Sequence, residues 1–186
     1  MPTDIHYFIA SLPGLKRHEK PFYSFKEFLA LCENNLSPEA AQAVSRLSLE
    51  PVQDSHDFCD AAKEWRQWVV FSKSSLAQLR AARLKRNVDS SANSSEYAGL
   101  YDGRELEKAY SITSPSERQA ALEDLMWKFL DNYLAAKYPF SIDAVVAYAL
   151  KLLLIEREQS RKFDQGLDVF NSMVANAIET ADNKRL

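Results

Sequence analysis

The residues able to do chemistry are few and scattered. Three histidines, His6, His18 and His56, lie in separate segments, and none has a second metal-ligating side chain at helical spacing. Zinc ligation takes about four converging donors, so no metal site is expected. The two cysteines, Cys32 and Cys59, each sit in a helix-like segment without a nearby partner. Reduced thiols in a cytosolic protein are the default for such a pair. Cys32 could act as a nucleophile only with a histidine folded in beside it, and a buried cysteine behaving as a small hydrophobe is commoner. There is no GxSxG elbow, no P-loop and no dinucleotide fingerprint. Glycine is scarce, 4 in 186 residues, which leaves no phosphate-cradling loop and favours helices. Neither a catalytic residue nor a cofactor is expected.

Two charge patterns remain. Over residues 63–86 seven Lys or Arg stand against one acid, Glu64. Arg66, Lys73 and Arg80 recur every seven residues and share a helix face that continues to Arg83 and Asn87. Such a face is solvated, neutralised by acids of a neighbouring helix, or held against an acidic partner. A net charge of −3 and the lack of a nucleic-acid-binding motif argue against nucleic acid.

The second pattern is the run YALKLLLIEREQSRKF at 148–163, where oily helix turns abruptly into charge. Alternate steps of three and four give Ile142, Val146, Ala149, Leu153, Glu156, Ser160, Phe163, Leu167, Phe170, Val174 and Ala177. Nine of these are apolar, and only Glu156 and Ser160 break the seam. A charge at a packed position must be paired, because isolating it in the interior costs several kcal/mol. The matching anomalies are Arg80 and Arg83, so Glu156 is expected to form a buried ion pair with one of them. The alternative is seam drift of about 20° per heptad, which leaves Glu156 at a wet rim. Lys151 and Arg157 fall outside the stripe and are expected in solvent.

The elements that must position these residues are helices. The segment 5–12 reads as a strand or a short helix. Ser24 with Glu27 makes a capping box before a helix closed by Asn34-Asn35. Ser37-Pro38-Glu39 opens another. From about 55 to 86 there is no proline or glycine, room for a helix of roughly 48 Å. Its seam runs Phe58, Ala62, Trp65, Val69, Ser72, Leu76, Leu79, Arg83. The polar stretch DSSANSS at 89–95 and the glycines after it suggest a flexible loop over about 88–113, with a helical turn or two at 104–110. Ser114-Pro115-Ser116-Glu117 starts a helix that stops before Pro139, and Ser141 caps a last helix reaching about 180. The expected fold is all-α, one elongated helical domain over 1–186. Its core is the antiparallel pair of long helices at about 55–87 and 142–180. No apolar run approaches the roughly 20 residues of a membrane span, and no secretory signal is visible at the N-terminus, so a cytoplasmic address is expected. Trp65, Trp68 and Trp127 are expected to be buried in the bundle or at a partner surface. With Arg66, Lys73 and Arg80 they form the candidate interface.

Four stretches occur in an order that resembles one family: HYFIASLPGL near the start, SLAQLRAARLKRN at 75–87, DLMWKFLDNYL at 124–134 and IDAVVAYALKLLLIER at 142–157. It is a helical family encoded inside bacterial V-type ATPase operons, including those of chlamydiae, spirochaetes and Bacteroidetes. The likeness spans about residues 6–170, apart from the 88–113 region. It departs in one place: an aromatic often follows the IER run in such proteins, where Glu158 stands here. The resemblance implies a non-catalytic accessory subunit of a rotary ATPase. Its role would be similar to that of the C-type component (d-type in eukaryotic naming), the helical cap that joins the central rotor to the membrane ring. Its partners would be the other ATPase subunits, and it would be peripheral to the membrane through the complex. A helical adaptor for an acidic protein partner is the alternative.

Overall fold

The computed structural model describes residues 5–50, 58–84, 103–161 and 172–174. Every regular element among them is a helix: α1 (Ile5–Ser11), α2 (Phe25–Asn35), α3 (Pro38–Ser45), α4 (Asp60–Arg83), α5 (Arg104–Ser111), α6 (Pro115–Lys128), a π-helical segment (Phe129–Ala135) and α7 (Ile142–Ser160). The all-α expectation holds.

The starts of four helices follow from local chemistry. Ser24 Oγ accepts the Glu27 N–H at 3.3 Å while Glu27 Oε2 accepts the Ser24 N–H at 2.8 Å, a complete capping box. Ser37 accepts from Ala40 N–H, with Pro38 at the first helical position. Ser114 does the same for Glu117, ahead of Pro115. Ser141 accepts from Asp143 N–H at 3.2 Å. Each hydroxyl satisfies one of the donors that a helix N-terminus leaves without an intrahelical partner.

The centre of the molecule is α7. Nine of its residues are buried: Asp143, Val145, Val146, Ala147, Ala149, Leu150, Leu152, Leu154 and Ile155. One face, Val145, Ala149 and Leu152, packs on Phe8 of α1, Phe28 and Cys32 of α2, and Ala41 and Val44 of α3. The other, Val146, Leu150 and Leu154, packs on Trp65, Trp68 and Val69 of α4 and on Phe129, Leu130 and Leu134 of the π segment. A helix apolar on more than one face belongs inside a bundle. Each large side chain so buried contributes about 1.5–3 kcal/mol.

Two expectations change. The last helix does not run on towards 180, because Arg161, at ψ 86°, has left helical geometry. Residues 162–171 and 175–186 lie outside the described residues. The two long helices do not pair antiparallel along their length. Their first turns meet instead, through the Ala61 N–H donating to Asp143 Oδ1 at 2.7 Å. The helical turn or two expected at 104–110 is the two-turn helix α5, whose buried Leu106 packs on Phe71 of α4. Residues 85–102, which include the serine-rich stretch, lie outside the described residues. The region 5–12 resolves as helix, with Phe8 buried.

The helix begun at Ser114 reaches its expected limit before Pro139 but changes type at Phe129. Seven residues take the wider π geometry, a rare form usually seen as a single turn. It brings Phe129, Leu130 and Leu134 into the core while Tyr133 stays 42% exposed.

Candidate functional site

Two carboxylates of α7 cap other helices. Cys59 occupies the N-cap position of α4 but makes no side-chain cap bond. Asp143 supplies it from outside, accepting from Ala61 N–H at 2.7 Å and from Ser141 Oγ at 2.8 Å. Burial pushes the Asp143 carboxyl up, but hydrogen bonds from the Ala61 N–H, Ser141 and Cys59 outweigh it and hold the pKa below the ordinary value. At the other end of α7, Glu156 Oε1 accepts the N–H of Phe25, the first residue of α2, at 2.6 Å.

The expected ion pair of Glu156 with Arg80 or Arg83 therefore does not form. Glu156 continues the stripe Val145–Ala149–Leu152, which faces α1–α3, whereas α4 lies against the Val146–Leu150–Leu154 stripe. The seam read from the sequence mixed residues of these two faces. Glu156 is half-buried, and a helix N-terminus stabilises it in place of a cation.

The buried acid that does collect cations is Glu123 of α6, only 1% exposed. It forms an ion pair with Arg157 Nη2 at 3.2 Å and accepts hydrogen bonds from Gln119 Nε2 at 3.3 Å and from Arg161 through both terminal nitrogens, one of them at 3.0 Å. Beside it Arg17, its side chain 10% exposed, reaches Glu158 at 3.1 Å, the Ala120 carbonyl at 3.3 Å and the Asp124 carboxylate. His18, held at φ 66°, places Nδ1 3.3 Å from Glu158. Lys151 pairs with Asp131 and lies over the Trp127 ring, 5.5 Å from its centroid. Arg157 and Lys151 are thus tertiary contacts, not the solvated charges expected. The charged end of α7 is a clamp that ties the 12–24 connection and α6 to the central helix. Its opposite charges compensate one another, which removes the cost of burying them singly.

The sequence assigns Glu64 no partner. It accepts from Lys137 Nζ at 2.5 Å and Tyr138 OH at 3.1 Å, locking the end of the π segment to α4. Lys137 also sits over the Tyr133 and Tyr138 rings. Glu64 stood out as the one acid in a basic stretch, but only a fold that brings 64 and 137 together could reveal its partners.

The candidate interface residues divide. Trp65 and Trp68 are core, 1% and 7% exposed, stacked on each other, with Trp68 also stacked on Phe129. Trp127 is half-buried beneath Lys151. The tryptophans therefore do not form an exposed patch. Arg66 is half-buried, and Lys73 is exposed and pairs with Glu50 at 3.2 Å. Arg80 and Arg83 are exposed. Beyond Ser72 only Ala81 of α4 is buried, and Leu84, its C-cap, is 63% exposed. The second half of α4 is displayed on the surface.

The chemistry open to this arrangement is limited. Among the described residues no three His, Cys, Asp or Glu side chains converge as a metal site would need. His56 lies outside the described residues. Burial pushes the Cys32 and Cys59 thiols up to about 12, so both are protonated and weakly nucleophilic near neutral pH. A surface groove of about 430 Å³ is lined by residues such as Ile5, Leu36, Ala40, Phe58 and Ile142, with Glu39 the one acid among its described lining residues. No helix among the described residues is long and apolar enough to cross a membrane. Neither a protein family, nor a curated protein, nor a solved structure matches the chain.

Proposed function

We propose that this chain is a non-catalytic accessory subunit of a bacterial V-type rotary ATPase, similar in role to the C-type (d-type) component. It works by contact at the cytoplasmic face of the membrane and reaches the membrane through the complex. The order of the four resembling segments supports the reading, and so does their different use in the fold. DLMWKFLDNYL ends α6 and continues into the π segment, sending Phe129, Leu130 and Leu134 into the core, and IDAVVAYALKLLLIER forms most of α7, with nine buried residues. The described part of SLAQLRAARLKRN, residues 75–84, has only Ala81 buried. That contrast carries the proposal: a helix held outside the core is available to meet a neighbour.

The test is purification of the intact ATPase from native membranes, scored for this chain at low and high salt. A stoichiometric band at low salt is the expected result. Its absence from the purified complex at low salt rejects the assignment. The second reading, an adaptor for an acidic protein, is favoured by the exposed Arg80 and Arg83. It predicts a partner outside the ATPase and an association that salt dissolves.

A further inference from the structure

We propose that residues 73–84 of α4 form a docking arm for an acidic helical surface of a partner protein, with Arg80 and Arg83 reading charge and Leu84 serving as the apolar anchor. The inference deepens the reading of the chain as a protein that works by contact, but it does not depend on which complex the partner belongs to.

The arm is a continuous helix, so its side chains sit on a preordered frame. Ala77, Arg80 and Leu84 follow one another at three and four residues and share a face, and Arg83 flanks it. All four are exposed. Most cations of the described clamp and core have an acid beside them: Arg17, Arg157 and Arg161 at the end of α7, Lys137 on Glu64, Lys151 on Asp131. Arg80 and Arg83 have no carboxylate within ion-pair reach among the described residues. The helix dipole favours basic residues in a last turn, and this accounts for part of their placement. It does not account for a leucine left 63% exposed between a basic helix end and solvent. Arginine is enriched at protein interfaces, where its guanidinium group pairs with carboxylates, and Leu84 beside Arg80 and Arg83 offers the adjoining apolar contact. The net charge of the chain is −3, so the whole molecule does not attract polyanions. The attraction is local to this arm, which fits a discrete acidic protein face better than a nucleic acid or a lipid surface.

The test places a photo-cross-linking residue at Ala77 of the full-length protein in its native cells, with a second protein carrying it at Glu117 as the reference. Cross-linked peptides are mapped by mass spectrometry. The expected result is a cross-link into an acidic helix of one protein that falls at least roughly tenfold in R80E/R83E. It should also fall when the cells are opened into about 1 M salt, where the Debye length is about 3 Å. R80Q/R83Q, which removes the charge without reversing it, should show an intermediate loss, and circular dichroism should show each variant folded. L84S should weaken capture at low and high salt alike. The arm is overturned by a cross-link no stronger than that at Glu117, by one indifferent to both arginine variants, or by one mapping to a non-acidic surface. It is equally overturned if binding to phosphatidylserine vesicles or duplex DNA, not to protein, accounts for the arginine dependence. An acidic partner that is not an ATPase component supports the arm and rejects the ATPase assignment.

Discussion

The two longest helices, α4 and α7, look like equal partners in the sequence and have opposite roles in the fold. α7 is the hub: it is buried on two faces, and its polar ends reach out to cap α4, cap α2 and clamp α6. α4 is buried over its first half, where Trp65, Trp68 and Val69 join the core, and displayed over its second. Length and apolar spacing are thus poor guides to role. What separates the two is how many neighbours surround each helix, and that depends on elements distant in the chain.

Substitutions can break or sharpen this contrast. Leu150→Ala in α7, at a fully buried position, should lower stability by about 3–4 kcal/mol by opening a cavity, whereas Leu79→Ala in the displayed half of α4 should cost under about 1 kcal/mol. Urea unfolding of the pair measures the difference, and equal losses would show that the arm is as buried as the hub.

Glu123→Ala should cost about 3 kcal/mol, the low end for breaking a buried pair, since Arg161 is 43% exposed and can turn to water. The double replacement Glu123→Leu with Arg157→Met should recover much of that loss, because no charge is left stranded. Denaturant midpoints of the two variants decide whether the charged end of α7 is a compensated clamp.

Asp143→Ala should cost about 1–2 kcal/mol through loss of the α4 cap. The effect has a pH signature. The Asp143 pKa is lowered in the folded state, so its stabilisation is complete above the unfolded value of about 3.9 and disappears as pH falls through the lower folded value. The gap between wild type and Asp143→Ala should therefore close at acid pH, as followed by thermal melts at stepped pH.

The smallest effect belongs to the arm. Arg80→Gln with Arg83→Gln should move stability by no more than about 0.5 kcal/mol, as exposed positions do, while a binding assay registers their loss. A large drop in the melting temperature would mean that the arginines serve the fold.

Much of the local structure was legible in the chain. Ser24, Ser37, Ser114 and Ser141 each announced a helix start, because an N-cap bond spans only a few residues and depends on nothing else. The all-α class and the burial of Trp65 were equally readable from apolar periodicity. The π segment was not, since FLDNYLA has no feature that disfavours an ordinary α-turn. Its widened geometry serves contacts with α7 and, through Lys137 and Tyr138, with Glu64.

The run YALKLLLIEREQSRKF marks the boundary between the two kinds of information. By itself the sequence determined that this run is helical over 148–160, that its apolar residues seek a core and that Glu156 needs a partner if buried. Only the tertiary structure decided that the partner is the N-terminus of α2 and not Arg80 or Arg83. It also decided that Arg157 and Arg161 converge on Glu123, and that Glu158 meets Arg17. Helix periodicity states which side chains share a face. Which neighbour that face meets is set by the packing of residues up to 141 positions apart, where long-range electrostatics and burial select one pairing among many of similar local merit.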